Sequence, residues 1–431
     1  MGVTKEIAYF NAFYLKSSVG SDQWHIEESR IKGGFNEVQV DFGVRAYLVD
    51  ETYTNERRKN ALIFSGIYNS KTGINNLNQF PVGAEITKAV DSANGSIQKL
   101  YAEDTNLIIL QEDKITRAPV DKDFIFTAEG TPISATSKIF IGSIIPYAGK
   151  YGISTNPESF AVKGNRKYFV DTKRGVALRL SSGVGGGDGL TEISFNGMRD
   201  WFSDNLKNVT KAVGMYDNVK DQYVLSITNP SNYTLAFDET SKGWTSFYTF
   251  YPDCGFSLNN IFYTFKETNI WKHYQTNNYN KFYTQAANDS HVELVLNLQP
   301  SVSKTFKTLS YEGSTGWSAL DIKTNLDDSN YTDSAESIAK YDSSYDFDLV
   351  GGNIFNKKQS TYRNFLRNNS DIKENEIIFG EQISGIKGFY MSAKFKTDAA
   401  ETTKKELFAV SSDVTGIVLK PKTTTTQQKK T

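Results

Sequence analysis

Carboxylates in a turn, a glycine run, one cysteine, three histidines and lysine-flanked aromatics are the parts of this chain from which chemistry could be built. Asp238 and Glu239 share the turn at residues 237–244 (FDETSKGW). Glycoside hydrolysis needs two opposed carboxylates, and recognition of an acidic sugar needs clustered guanidinium forks. No arginine lies between Arg199 and Arg363, which argues against that reading. Residues 183–189 (GVGGGDG) lack the Lys-Ser/Thr that closes a phosphate loop and lead into a strand, so a hairpin tip is expected there. Cys254 stands beside Asp253, the wrong charge to activate a thiol, and reads as a small packing residue. His25, His273 and His291 have no metal-ligand spacing with each other or with Cys254. Asp327 and Asp328 lack the ligand order of a calcium loop and read as a solvated acidic loop. Residues 271–274 (WKHY) and 279–283 (YNKFY) could stack bases or sugars. Strand alternation instead directs half of these rings into the spaces between sheets. No catalytic, cofactor-binding or metal-binding residue is assigned, no cofactor is expected, and the chain is not read as an enzyme.

Composition narrows the class further. The chain has 431 residues and a net charge of −1, so no general basic field marks a nucleic-acid binder. Tyr and Phe number 24 and 28 against 4 Met, a bias towards strand formers. No segment has the ~20 apolar residues of a membrane span, no secretory signal is visible at the start, and no membrane partner is expected. Residues 420–431 (KPKTTTTQQKKT) hold no large apolar side chain and read as a disordered basic tail.

The elements that must position these residues are short strands. Residues 213–250 contain four, at 213–216, 222–227, 233–237 and 244–250, separated by Asp-, Asn- and Gly-bearing turns. A similar unit precedes it, with strands at 159–163, 167–170, 176–180 and 190–194. Another follows, with strands at 255–258, 261–265, 270–274 and 281–284, and a weaker copy spans 97–117. Small sheets recurring along the chain must bury both faces against neighbours, which suggests radial repetition. The expected fold is mostly β: a β-propeller-like array of four-stranded antiparallel blades with short helical and loop insertions. A β-sandwich of similar strands is the alternative. Residues 195–207 read as a short helix, with Met198, Trp201, Phe202 and Leu206 on one face and Asn196 as its cap. The expected organisation is an N-terminal β lead-in at 1–90, blades at 91–321, a polar insertion at 322–350, a β region at 351–419 and the tail at 420–431.

Two segments carry a resemblance beyond composition. Residues 58–80 (RKNALIFSGIYNSKTGINNLNQF), continuing through 85–88 (EITK) to 95–101 (GSIQKLY), resemble the tail stabilisation, or muzzle, proteins of crAss-like bacteriophages. Residues 216–274, with Tyr-Asp-x4-Gln-Tyr, Phe-Asp-Glu-x3-Gly-Trp and Trp-Lys-His-Tyr, are similar to the later blades of the same nozzle-type family. The resemblance implies a structural component of the virion tail, made in the bacterial host cytoplasm and stabilising the packaged genome. It further implies a homo-oligomeric ring around the DNA exit channel, with other tail and portal-ring proteins as neighbours, and allows contact with genomic DNA in the channel. It implies no catalytic residues. The rival expectation from the residues alone is a carbohydrate-binding or glycan-cleaving β-propeller.

Overall fold

The computed structural model describes residues 15–17, 24–26, 58–66, 68–77, 86–126, 132–181, 189–275, 279–283, 285–325, 334–344, 353–369, 385–399 and 403–416. The expected basic tail, the glycine run up to residue 188, most of residues 1–57 and the Asp327-Asp328 loop lie outside the described residues. The chain divides into two units, Met1–His273 and Tyr274–Thr431.

The first unit opens with ribbons. Strand β1 (Leu15–Ser17) pairs with β2 (Trp24–Ile26). Then come β3 (Ala61–Ile63), β4 (Tyr68–Asn69), β5 (Ile74–Asn75) and β6 (Thr87–Ala89), with β3 paired to β6 and β4 to β5. Four antiparallel meanders follow in chain order. The first sheet comprises β7 (Ile97–Glu103), β8 (Asn106–Gln111), β9 (Ile115–Phe126) and β10 (Pro132–Ile141), with β11 (Ile145–Pro146) added to β9. The second is β12 (Ala161–Lys163), β13 (Arg166–Asp171), β14 (Val176–Ser181) and β15 (Gly189–Glu192). The third is β16 (Lys211–Asp217), β17 (Gln222–Asn229), β18 (Ser231–Asp238) and β19 (Gly243–Tyr248), the strands expected from the 213–250 pattern. The fourth has three strands, β20 (Cys254–Leu258), β21 (Ile261–Lys266) and β22 (Asn269–Lys272).

The meanders are set by their turns. Two-residue hairpin loops that match strand twist need left-handed backbone, and Asn259 and Asn260 between β20 and β21 supply it with φ of 50° and 57°. The same conformation ends the fourth sheet early. Asn280 and Tyr283 have φ of 64° and 55°, and the Gln285 amide donates to the Phe282 carbonyl, closing a turn where a strand at 281–284 was expected.

Stacking explains why the strands read as apolar runs instead of alternations. In β8, Ile108 and Leu110 join Phe169, Leu178 and Leu180 of the second sheet in one cluster. Ile109, on the opposite face, clusters with Leu62, Val90, Ala118 and Ile141. The second sheet turns Tyr168, Val170 and Ala177 the other way, against Tyr223, Leu225 and Phe237 of the third. Each such side chain taken fully out of water contributes about 1.5–3 kcal/mol. Close backbone approach accompanies this packing. A Cβ on Gly214 would sit 1.9 Å from the Ser159 carbonyl oxygen, and one on Gly255 would sit 2.5 Å from the Met215 sulfur.

Helix α1 (Arg199–Leu206) buries Phe202 and Leu206 in the cluster between the second and third sheets, with Met198 and Trp201 packed beside them. It starts later than expected. Gly197, at φ 77°, donates to the Phe195 carbonyl in a tight turn, so Met198 and not Asn196 takes the cap position, without a side-chain cap bond. Asp200 in the first turn complements the helix dipole.

The second unit is wired differently. Its strands are β23 (His291–Leu296), β24 (Lys304–Phe306), β25 (Thr308–Gly313), β26 (Ser318–Thr324), β27 (Asn356–Lys358), β28 (Thr361–Phe365), β29 (Ile386–Gly388), β30 (Met391–Lys396), β31 (Leu407–Ser411) and β32 (Val414–Gly416). They form sheets ordered β23-β30-β26, β29-β24-β32 and β27-β28-β25-β31, joining segments far apart in sequence. Phe306, Tyr311, Ile338, Phe355, Leu366 and Phe395 form their shared core. The described fold is thus mostly β, with several four-stranded antiparallel sheets and one α-helix among the described residues. That helix has eight residues, and none is long and apolar enough to cross a membrane.

Candidate functional site

Among the described residues, no group of three or more His, Cys, Asp or Glu is placed to hold a metal ion. Two groups of charged residues sit instead in the seams between sheets. Between the first and second sheets, fully buried Asp171 accepts from Ser154 Oγ at 2.8 Å, the Gly152 amide at 3.1 Å and the Arg174 guanidinium at 2.8 Å. Arg174 reaches on to Asp113 at 3.0 Å, and Lys173 pairs with Glu112 at 2.9 Å and Asp113 at 3.0 Å. Glu112 also accepts from Ser96 Oγ at 2.6 Å. These Ser96 bonds, with Lys173 next, hold the Glu112 carboxyl down at about 2. Farther along the same seam, buried Lys167 of β13 pairs with Glu103 of β7.

The second seam is centred on Glu239, whose side chain is 9% exposed. It accepts from the Tyr168 hydroxyl at 2.6 Å and from the Arg179 guanidinium at 2.7 Å, with Arg166 at 3.5 Å. Burial, then the bond to Glu239, pushes the Tyr168 phenol well above its ordinary value, so it remains a donor. Tyr168 stacks on Tyr223 with ring centroids 5.0 Å apart and lies 5.6 Å from Tyr216. At the end of the same turn, the Trp244 indole donates to the Ile193 carbonyl at 3.1 Å. A turn of the third sheet therefore clamps the second through one carboxylate and one indole.

The opening strands of successive sheets are also tied. Lys163 of β12 donates to Asn218 Oδ1 at 2.8 Å, the Asn218 amide donates to Ser257 Oγ at 3.0 Å, and Ser257 Oγ donates to the Tyr216 carbonyl at 2.7 Å. In the fourth sheet His273 lies between Phe250 and Phe262, each 5.0 Å from its ring centroid, and Nε2 meets Thr264 Oγ1 at 2.8 Å. Burial drives its pKa down to about 4.

The structure thus gives the Asp238-Glu239 turn a partner that sequence did not show. The arginines sought downstream of Arg199 sit upstream, at 166 and 179, and grip the chain's own carboxylate. No local signal announced this grip, because Arg166 and Arg179 of the second sheet meet Glu239 only where the third sheet packs on it. Cys254, expected to pack, is exposed at the start of β20, because the outward face of that strand is uncovered. Of residues 271–274, His273 is buried and Trp271 half-buried, whereas Tyr274 is exposed. In the second unit a shallow depression of about 480 Å³ is lined by Ser318, Leu320, Ile338, Lys340, Lys396 and Asp398, among others, with Lys340 and Asp398 3.4 Å apart.

No curated protein matches the chain. A family model described as the Crassvirus muzzle protein matches residues 84–268, which holds all four stacked sheets apart from the last strand. A second, described as the Crassvirus muzzle protein C-terminal domain, matches residues 277–369, and the division between the two units falls between these matches. The matches together cover more than half of the 431 residues, and this chain belongs to the Crassvirus muzzle protein family.

Proposed function

We propose that the chain is a subunit of an oligomeric muzzle ring in the phage tail, surrounding the DNA exit channel and helping to retain the packaged genome. Family membership supports a structural, non-enzymatic part of a virus particle. The observation that carries the mechanical side of the reading is the pair of ionic seams at Asp171 and Glu239. Sheets buried on both faces and pinned by charge-assisted bonds form a stiff wall. In this reading the four sheets are propeller-type blades. The Lys163–Asn218–Ser257 thread supports it, since the first strands of neighbouring blades adjoin near a propeller axis.

Mass spectrometry and antibody labelling of purified phage particles test this. Label confined to the tail exit is expected. A chain that is missing from particles and binds glycans as a monomer would replace the reading with the carbohydrate-binding one.

A further inference from the structure

Asn196, expected to cap α1, is displaced from that task. Met198 takes the cap position, and Asn196 stands exposed two residues before it, followed by exposed Gly197. The chain has two Asn-Gly pairs, this one and Asn94-Gly95. An asparagine before glycine carries a latent reaction, because no Cβ shields the glycine nitrogen from the asparagine side-chain carbon. Both pairs hold this chemistry, and the fold separates them.

Asn94 ends a short 3-10 turn (Ser92–Asn94) and is half-buried, as is Gly95. The Asn94 carbonyl accepts from the Asp113 amide at 3.1 Å, and the Gly95 amide donates to the Ser92 carbonyl at 3.2 Å. The Gly95 carbonyl accepts from Gln111 Nε2 at 2.9 Å. A Cβ on Gly95 would lie 2.9 Å from the Glu112 side chain, so this peptide unit has little room to swing. Asn196 and Gly197 are held by less. The Asn196 amide donates to the Ile193 carbonyl at 3.3 Å and the Gly197 amide to the Phe195 carbonyl at 2.8 Å, both bonds staying within the one turn. A Cβ on Gly197 would meet nothing within 4 Å. Neither asparagine side chain is hydrogen-bonded to a described residue, so backbone restraint distinguishes the two pairs.

We propose that Asn196 is a site of spontaneous deamidation in the folded chain, and that Asn94 is protected from it. The Gly197 nitrogen, having given up its proton, attacks Asn196 Cγ, and the new C–N bond closes a cyclic imide as ammonia leaves. Water then opens the imide at one carbonyl or the other, giving aspartate or isoaspartate. The net change is one water consumed and one ammonia released. Either product sets a carboxylate before the positive end of α1 and beside Phe195, over whose ring the Arg199 guanidinium sits at 5.5 Å. The isoaspartate route also adds a methylene to the main chain running from Ile193, whose carbonyl holds the Trp244 indole, into α1. Ageing at this site therefore slackens the Trp244 side of the second seam. It proceeds in the same way whether or not the chain enters a virion.

The test incubates the full chain at mildly alkaline pH, where the amide nucleophile forms more readily. Peptide mass spectrometry follows both asparagines, and methyl transfer by an isoaspartate methyltransferase reports the isomer. Asn196 is expected to convert at least ~10-fold faster than Asn94, since opening one or two backbone hydrogen bonds slows ring closure by about that factor. In urea the two rates should converge, because only the shared dipeptide then remains. Asn196→Gln should abolish the faster signal and leave the circular dichroism spectrum unchanged. Aged wild-type chain should also unfold at lower urea than aged Asn196→Gln, read by tryptophan fluorescence. Equal conversion of the two sites in the folded chain overturns the proposal. So does faster loss at Asn94, or an Asn196 that persists in the folded chain while converting in urea. Conversion with no change in unfolding would refute the slackening of the Trp244 contact.

Discussion

Replacing Glu239 by Gln should loosen the second seam while keeping its shape. The amide oxygen can still accept from Tyr168, but the amide nitrogen then faces the Arg179 guanidinium, donor against donor. The Glu239 side chain is 9% exposed and that of Arg179 is 24% exposed, so water repairs the mismatch only in part. A charge-assisted bond of this kind contributes about 1.5–3 kcal/mol, and a partner left unpaired adds to the loss. A destabilisation of ~2–4 kcal/mol is therefore expected for Glu239→Gln, and a coupling of ~1.5–2.5 kcal/mol with Arg179→Met in a double-mutant cycle. Urea unfolding followed by tryptophan fluorescence reads the right region, because Trp244 and Trp201 lie in this interface. The exposed pair Lys340–Asp398 is the control, and Lys340→Ala should cost no more than ~0.5 kcal/mol. If Glu239→Gln matched that control, or the coupling vanished, the carboxylate would be a surface ornament and the clamp argument would be wrong.

Three further outcomes are expected. Gly214→Ala drives a methyl into the Ser159 carbonyl, a backbone atom that cannot rotate away, and should lower the melting temperature with a loss of ~3 kcal/mol or more. His273 is held neutral by burial, so the unfolded chain binds its proton more tightly. Its contribution is complete above pH 6.5 and fades as pH falls towards about 4, by up to ~3 kcal/mol. His273→Asn should flatten the stability profile over that window, and an equal slope in both proteins would refute the assignment. Lys304, buried in the second unit, donates to the carbonyls of Gln299 at 3.1 Å, Val302 at 3.4 Å and Phe389. Lys304→Met should cost ~2 kcal/mol by stranding those oxygens, and a more stable variant in denaturant would show that desolvation of the ammonium outweighs its bonds.

The first unit was legible because its information is local. The third sheet pairs Asp217 with Gln222, and Asn229 with Ser231, so strand, turn and strand can be read from one window of sequence. The helix was visible from the spacing of Phe202 and Leu206, although its start was not, because Gly197 acts through backbone conformation. The grip on Glu239 was invisible, since Arg166 and Arg179 reach it across two sheets from more than fifty residues away. The second unit withheld its topology for the same reason. Nothing near Phe306 announces that its strand pairs with Ile386 and Val414.

That contrast in wiring has a consequence for biosynthesis. In the first unit the stacked sheets are built from strands adjacent in sequence, with β11 returning to β9 as the one exception, so each can close soon after its last strand leaves the ribosome. In the second, β24 stays without a partner on one side until β32 has been translated, more than a hundred residues later. Loop closure over that span is slow, and until it is complete a bare strand edge is open to wrong partners. The nascent chain would therefore present a finished first half attached to an unfinished second half. Release of Val414 from the exit tunnel, and not the onset of translation, sets the time at which the C-terminal unit can mature.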